Sequence, residues 1–78
     1  MGGRSQPLEH AREFGTRVRA TRKALDWSLE TLADEAGLHW TYVGSVERGE
    51  RNISLLNILR LAVALDVDAG ELVRGLKP

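Results

Sequence analysis

The chain has 78 residues, with 11 basic and 11 acidic side chains, a formal net charge of zero and no cysteine. That length holds one small domain and leaves no room for a binding module beside a separate ligand domain. Without cysteine there is no disulfide or thiolate metal site, so stability must come from the core or from a second subunit. No apolar run is long enough to span a membrane and no signal-peptide pattern is present, which makes a cytoplasmic location the expectation.

Residues 1–7, MGGRSQP, read as a disordered N-terminal segment, because two glycines, a serine and a proline bury too little to stay ordered. Residues 8–78 form the domain. A first helix is expected over about residues 8–25. Ala11, Phe14, Gly15, Val18, Thr21, Arg22 and Leu25 recur at spacings of three and four, the amphipathic pattern. Arg12, Arg17, Arg19 and Lys23 fall around the rest and read mostly as a solvated face. Arg22 differs, since it falls on the apolar stripe. The first third of the chain is basic, and residues 26–50 hold Arg48 against Asp26, Glu30, Asp34, Glu35, Glu47 and Glu50. A neutral chain can still meet a polyanion if its cations converge on one face.

Asp26 and Trp27 make a turn, and Ser28 is a good N-cap for a second helix. Trp27 before the cap and Leu32 in the first turn form a hydrophobic staple, which places Trp27 in the core. Leu29, Leu32, Ala33 and Ala36 make the apolar stripe of this helix. Gly37 follows where a helix ends on a left-handed residue, and Leu38 points back inward. A third helix is expected over residues 40–48, with His39 near its cap. Val43 and Val46 are its inner face. Trp40, Thr41, Tyr42, Gly44 and Ser45 carry no formal charge. A short helix with a narrow inner face and an uncharged outer face is suited to lying against another surface. Two helices joined this way make a helix–turn–helix, whose second helix enters the DNA major groove. Small helical domains with no nucleic-acid partner also contain two helices joined through a glycine.

Residues 48–53 are a loop of charge and glycine. Ser54 caps a fourth helix that reaches about Leu65, and its apolar positions Leu55, Ile58, Leu59, Leu61, Ala62 and Leu65 exceed one core face. Asp66 closes it, Val67 turns inward, and Asp68 with Glu71 reads as a capping box for a fifth helix carrying Leu72, Val73 and Leu76. Surplus apolar surface in so short a chain marks helices four and five as a homodimer interface. The alternative is a closed monomer core. His10 and His39 have no partnering ligand set, so no metal is expected. Paired carboxylates, a nucleophile arrangement and a glycine-rich phosphate loop are all missing from the sequence, so neither an enzyme nor a cofactor is expected.

The ordered set Ser28, Leu32-Ala33, Ala36-Gly37-Leu38, Tyr42-Val43 and Val46-Glu47-Arg48-Gly49 resembles the Cro/C1-type helix–turn–helix family, also called Xre. Phe14-Gly15, Arg22, residues 52–54, Leu61-Ala62, Ala64-Leu65 and Glu71-Leu72 extend the likeness over residues 12–76. Within the family, residues 47–58 and Thr41-Tyr42-Val43 look most like the controller proteins of restriction–modification systems. The resemblance implies an all-α, five-helix, lambda repressor-like fold. It also implies a homodimer that binds a pseudo-palindromic double-stranded operator and blocks or recruits RNA polymerase. It pairs Arg22 with Glu47 as a buried structural ion pair.

On that reading the DNA-binding residues are Trp40, Thr41, Tyr42, Gly44, Ser45, Arg48, Arg51 and Asn52. Trp40, Thr41 and Ser45 would face the groove floor, with Tyr42 at the flank. Gly44 would allow close approach to DNA, and Arg48, Arg51 and Asn52 would lie near the backbone or the groove edge. Trp40 either packs on a sugar or thymine methyl or covers the neighbouring helix. Two positions depart from the family: Leu29 stands where a phosphate-touching glutamine is usual, and Trp40 where a cation is common in controllers. The alternatives are a prophage-type repressor, the antitoxin of a toxin–antitoxin pair, or a protein-interaction module that has lost DNA binding.

Overall fold

The structure, a computed structural model, describes residues 8–78. The segment expected to be disordered, residues 1–7, lies outside the described residues. Five helices follow in order: α1 Glu9–Ala24, α2 Leu29–Ala36, α3 Trp40–Glu47, α4 Leu55–Leu65 and α5 Ala69–Val73. There is no strand among the described residues.

Most helix boundaries have a local cause, although Leu8 opens α1 without a side-chain cap. Ser28 Oγ accepts the backbone N–H of Thr31 at 3.0 Å and opens α2. Gly37 ends it with φ 70°, and the Leu38 N–H returns to the Ala33 carbonyl at 2.9 Å. His39 caps α3 through Nδ1, which accepts the Thr41 N–H at 3.2 Å. Ser54 Oγ accepts the Asn57 N–H at 3.2 Å to open α4. Asp66 closes α4 in the left-handed region, a conformation that Asp tolerates better than most residues. The expected capping box on α5 is not formed. Asp68 Oδ2 accepts from the Gly70 N–H at 3.1 Å, and the Glu71 side chain turns instead to Arg74. A five-residue helix puts Arg74 one turn from Glu71, within reach of its carboxylate.

The core is built from one face of every helix: Phe14 and Val18 of α1, Leu32, Ala33 and Ala36 of α2, Val43 and Val46 of α3, Leu61, Ala62 and Leu65 of α4, and Leu72 of α5. Burying one such side chain stabilises by about 1.5–3 kcal/mol. Trp27 is half-buried against this cluster, as its place before the α2 cap requires. Leu25, expected on the α1 stripe, is 42% exposed. It is the C-cap residue, and the chain turns away through Asp26 at φ 59°, so the stripe ends one turn early.

Gly15 sets the distance between α1 and α3. A Cβ there would overlap the Val46 carbonyl oxygen and stand 2.6 Å from that of Glu47. The close approach brings Arg22 against Glu47. Arg22 Nε donates to Glu47 Oε2 at 2.7 Å and Nη2 to Oε1 at 2.9 Å, a bidentate pair. A third bond, from Nη1 to the Trp27 carbonyl at 2.9 Å, ties the pair to the turn before α2. Both side chains are nearly buried, 11% and 7% exposed. The hydrogen bonds to Glu47 hold the Arg22 guanidinium above its ordinary pKa, against the opposing effect of burial.

Candidate nucleic-acid interface

Trp40 is half exposed and Thr41 exposed, while Val43 and Val46 lie fully in the core on the other side of α3. The Trp40 ring stacks beside His39, with centroids 6.0 Å apart and planes 23° from parallel. Glu30, Asp34 and Leu38 line the shallow pocket next to these two rings. Trp40 therefore covers a little of the neighbouring helix and keeps half its surface free. The Thr41 hydroxyl lies 2.7 Å from His39 Nδ1. That nitrogen also accepts the Thr41 N–H, and the direction of the hydroxyl bond follows the ring tautomer.

Two of the expected surface positions are not on the surface. Ser45 is 5% exposed, so the expectation that it faces outward with Trp40 and Thr41 is corrected. It lies one turn after Thr41 and just past Val43, on the flank where α3 rolls into the core. Its hydroxyl donates to the Tyr42 carbonyl at 2.7 Å and accepts from Arg51 Nε at 2.9 Å. Gly44 is also buried. A Cβ there would stand 3.2 Å from Leu29 Cδ2 and 3.3 Å from Arg48 Nη1. Its missing side chain makes room for Leu29 and Arg48, not for an approaching ligand. Leu29, the departure from the family pattern, is the residue that covers it.

Tyr42 is half-buried at the flank. Its ring carries the Arg51 guanidinium at 5.6 Å, and its hydroxyl accepts from Asn57 Nδ2 at 3.2 Å. Arg48, Arg51 and Asn52 are exposed along the loop that leaves α3. Arg48 is not unpaired: Nε donates to Glu50 Oε2 at 3.0 Å and Nη2 to Oε1 at 3.2 Å. These hydrogen bonds lower the Glu50 pKa below the ordinary carboxylate value and raise that of Arg48. Arg12 joins this edge from α1, since a Cβ on Gly49 would stand 2.7 Å from its Cα.

Three partnerships here escaped the sequence reading. Asn57, on α4, holds the Tyr42 hydroxyl through tertiary packing that leaves no local signal. The Arg48–Glu50 pair sits in a loop, where no periodicity places side chains. Arg17, read as solvated, donates to the carbonyls of Leu72 and Arg74 at 3.3 and 2.8 Å and so caps the end of α5. Its spacing of four from Glu13, to which it also bonds at 3.0 Å, was the available sign that it is held in place. Among the described residues no group of acidic, histidine or cysteine side chains is arranged to hold a metal, and no helix is long and apolar enough to cross a membrane.

A short capped helix over an all-α core, its outer face uncharged and flanked by cations, is the second half of a helix–turn–helix. The helix–turn–helix family profile matches residues 18–72. The chain belongs to this family, of the Cro/C1 or Xre type, which is a family of DNA-binding regulators and not of enzymes. Among curated proteins it is 47% identical over 62 residues to the control protein C.SmaI of Serratia marcescens, covering 77% of this chain and 74% of that one. Among solved structures it is similar to the restriction–modification controller protein C.AhdI of Aeromonas hydrophila. The identity there is 52% and the TM-score 0.81, over 83% of this chain and 98% of that one. It also resembles SinR, the master regulator for biofilm formation, solved in complex with DNA. That match is 33% identical with a TM-score of 0.73, over 76% of this chain and 95% of the other.

Proposed function

We propose that the chain is a controller-type transcription regulator that binds a pseudo-palindromic operator as a homodimer. The observation that carries this reading is the start of α3. Trp40 and Thr41 project from it without a charge, and Arg48, Arg51 and Asn52 stand on the loop at its other end. Uncharged side chains that hydrogen-bond or touch methyl groups read base edges, and arginines at the rim meet phosphates. Thr41 offers a hydroxyl to a base edge and a methyl to thymine. Arg48 and Asn52 contact the backbone, and Trp40 packs on a sugar or a thymine methyl. Tyr42 lies against the backbone at the flank. Ser45 and Gly44 belong to the interface as its support.

The homodimer reading is supported by α4. Leu55, Leu56, Leu59 and Val63 are 70%, 57%, 44% and 81% exposed, and their spacing puts them on one outer stripe. Four large apolar side chains on so small a surface suit a second copy of the same face, with α5 beside it. The two copies of α3 would then enter successive major grooves about 34 Å apart. Bound there, the dimer blocks or recruits RNA polymerase at its own operon. The likeness to C.SmaI and C.AhdI supports the restriction–modification setting. Selection of binding sites from a random duplex pool tests this. Two inverted half-sites one helical turn apart are expected. No enrichment at low salt, from chain shown by circular dichroism to be folded, would rule the reading out.

A further inference from the structure

Arg51 is a surface arginine with an unusual amount of support. Its Nε is fixed at 2.9 Å by the hydroxyl of Ser45, and its guanidinium rests on the Tyr42 ring at 5.6 Å. The Ser45 hydroxyl cannot turn away, because its own proton is given to the Tyr42 carbonyl at 2.7 Å. The tyrosine is itself held from behind by Asn57. Among the described residues these are the two hydrogen bonds of the Ser45 hydroxyl, and the residue is only 5% exposed. Arg51 is itself exposed, and among the described residues its two Nη groups have no hydrogen-bond partner.

We infer that Ser45 is a positioning residue that fixes Arg51 for its contact with nucleic acid. This rests on the DNA-binding reading and goes beyond it. An arginine loses much rotamer freedom when it is immobilised on a ligand. One already held at Nε and stacked on a ring has lost most of that freedom in the free protein. Its two Nη groups then meet a phosphate or a guanine edge in a preset, bidentate geometry. Ser45 therefore contributes to affinity without touching DNA.

The test is a double-mutant cycle. Ser45→Ala is made alone and together with Arg51→Ala, and each protein is titrated by fluorescence anisotropy against the selected duplex. Alone, Ser45→Ala lowers affinity about fivefold to tenfold, the order expected for having to immobilise one rotamer-rich side chain on binding. Combined with Arg51→Ala it adds less than about twofold, because the residue it serves is gone. Its salt dependence matches the wild type, since no charge is removed. A structural role for Ser45 would instead lower affinity in both backgrounds, and that result overturns the inference. So does an unchanged affinity in the single variant. In the free protein the Arg51 Nε–H resonance, slowed by its bond to Ser45, broadens away in Ser45→Ala; a resonance unchanged by the substitution also overturns it. Failure of the wild type to bind any duplex removes the DNA reading as well. Binding by the wild type with an additive cycle removes only this inference.

Discussion

Replacing Arg22 with alanine strands Glu47. The carboxylate is 7% exposed and loses two hydrogen bonds, at 2.7 and 2.9 Å, together with its counter-charge. The Trp27 carbonyl loses a donor as well. Breaking one side of such a pair costs about 3–5 kcal/mol, most of it the price of an uncompensated buried charge. A domain of 78 residues has a total stability of only about 4–12 kcal/mol. At about 4–8 °C per kcal/mol for a domain this size, the melting midpoint should fall by about 12 °C or more. The assay is thermal unfolding followed at 222 nm, at one fixed protein concentration because the proposed dimerisation would shift the midpoint. The pair Arg22→Met with Glu47→Leu should recover most of the loss, since both charges leave together. The raised Arg22 pKa adds stability that is complete below its unfolded value and is lost only as pH rises through the folded one. Both lie far into the alkaline range, so the effect of Arg22→Ala is constant across neutral pH. A midpoint shift under about 4 °C would refute the idea that this pair locks α1 to α3.

Gly15→Ala should lower the midpoint by a similar amount, because its Cβ meets backbone oxygens of Val46 and Glu47 that cannot rotate aside. Differential scanning calorimetry reads this, and an unchanged midpoint would mean that α1 can lift from α3 freely. Glu50→Gln should strengthen DNA binding about twofold to threefold and steepen its salt dependence by about one counterion, because Arg48 is released to a phosphate. The lowered Glu50 pKa means the pairing is intact above the ordinary carboxylate value and is lost only as pH falls through the lower folded one. The contribution of the Arg48–Glu50 pair to affinity should therefore stay flat on mild acidification. Val63→Asp, at an 81% exposed position, should leave the monomer folded and dissociate the dimer, read by sedimentation velocity. Thr41→Ala should relax sequence preference with little change in melting, whereas Arg51→Ala should weaken binding to all sequences, both read by competition between the selected duplex and a scrambled one.

The features set by local chemistry were legible in the chain. Ser28, Gly37, Ser54 and Asp66 mark helix ends through caps and left-handed turns, and the structure places the ends there. Arg22 was legible because an arginine on an apolar stripe needs a buried partner, and the family resemblance supplied Glu47. The surplus of α4 was legible as a count, and the structure exposes four of its large apolar side chains. Apart from the α5 capping box, what failed depended on helix rotation, loop pairing and tertiary contact. Ser45 and Gly44 share a sequence neighbourhood with Thr41, and only the packing of Leu29 and Arg51 over α3 decides that they are covered. The intramolecular partners of Arg48 and Arg51 went unread, because pairing within a loop has no periodic signature. Leu25 continued a stripe on paper that the backbone had already left at Asp26.

In the proposed complex two copies of α3 read successive major grooves of one operator. The most direct measurement compares the selected duplex with one carrying about half a helical turn of extra sequence, five base pairs, between its half-sites. Anisotropy titrations at matched salt should show tight binding of two chains to the first duplex. Affinity for the second should fall to the non-specific level, because its half-sites face opposite sides of the helix. Equal affinity for both would contradict the account, since it would mean that the chain reads DNA without the symmetric pairing of α3.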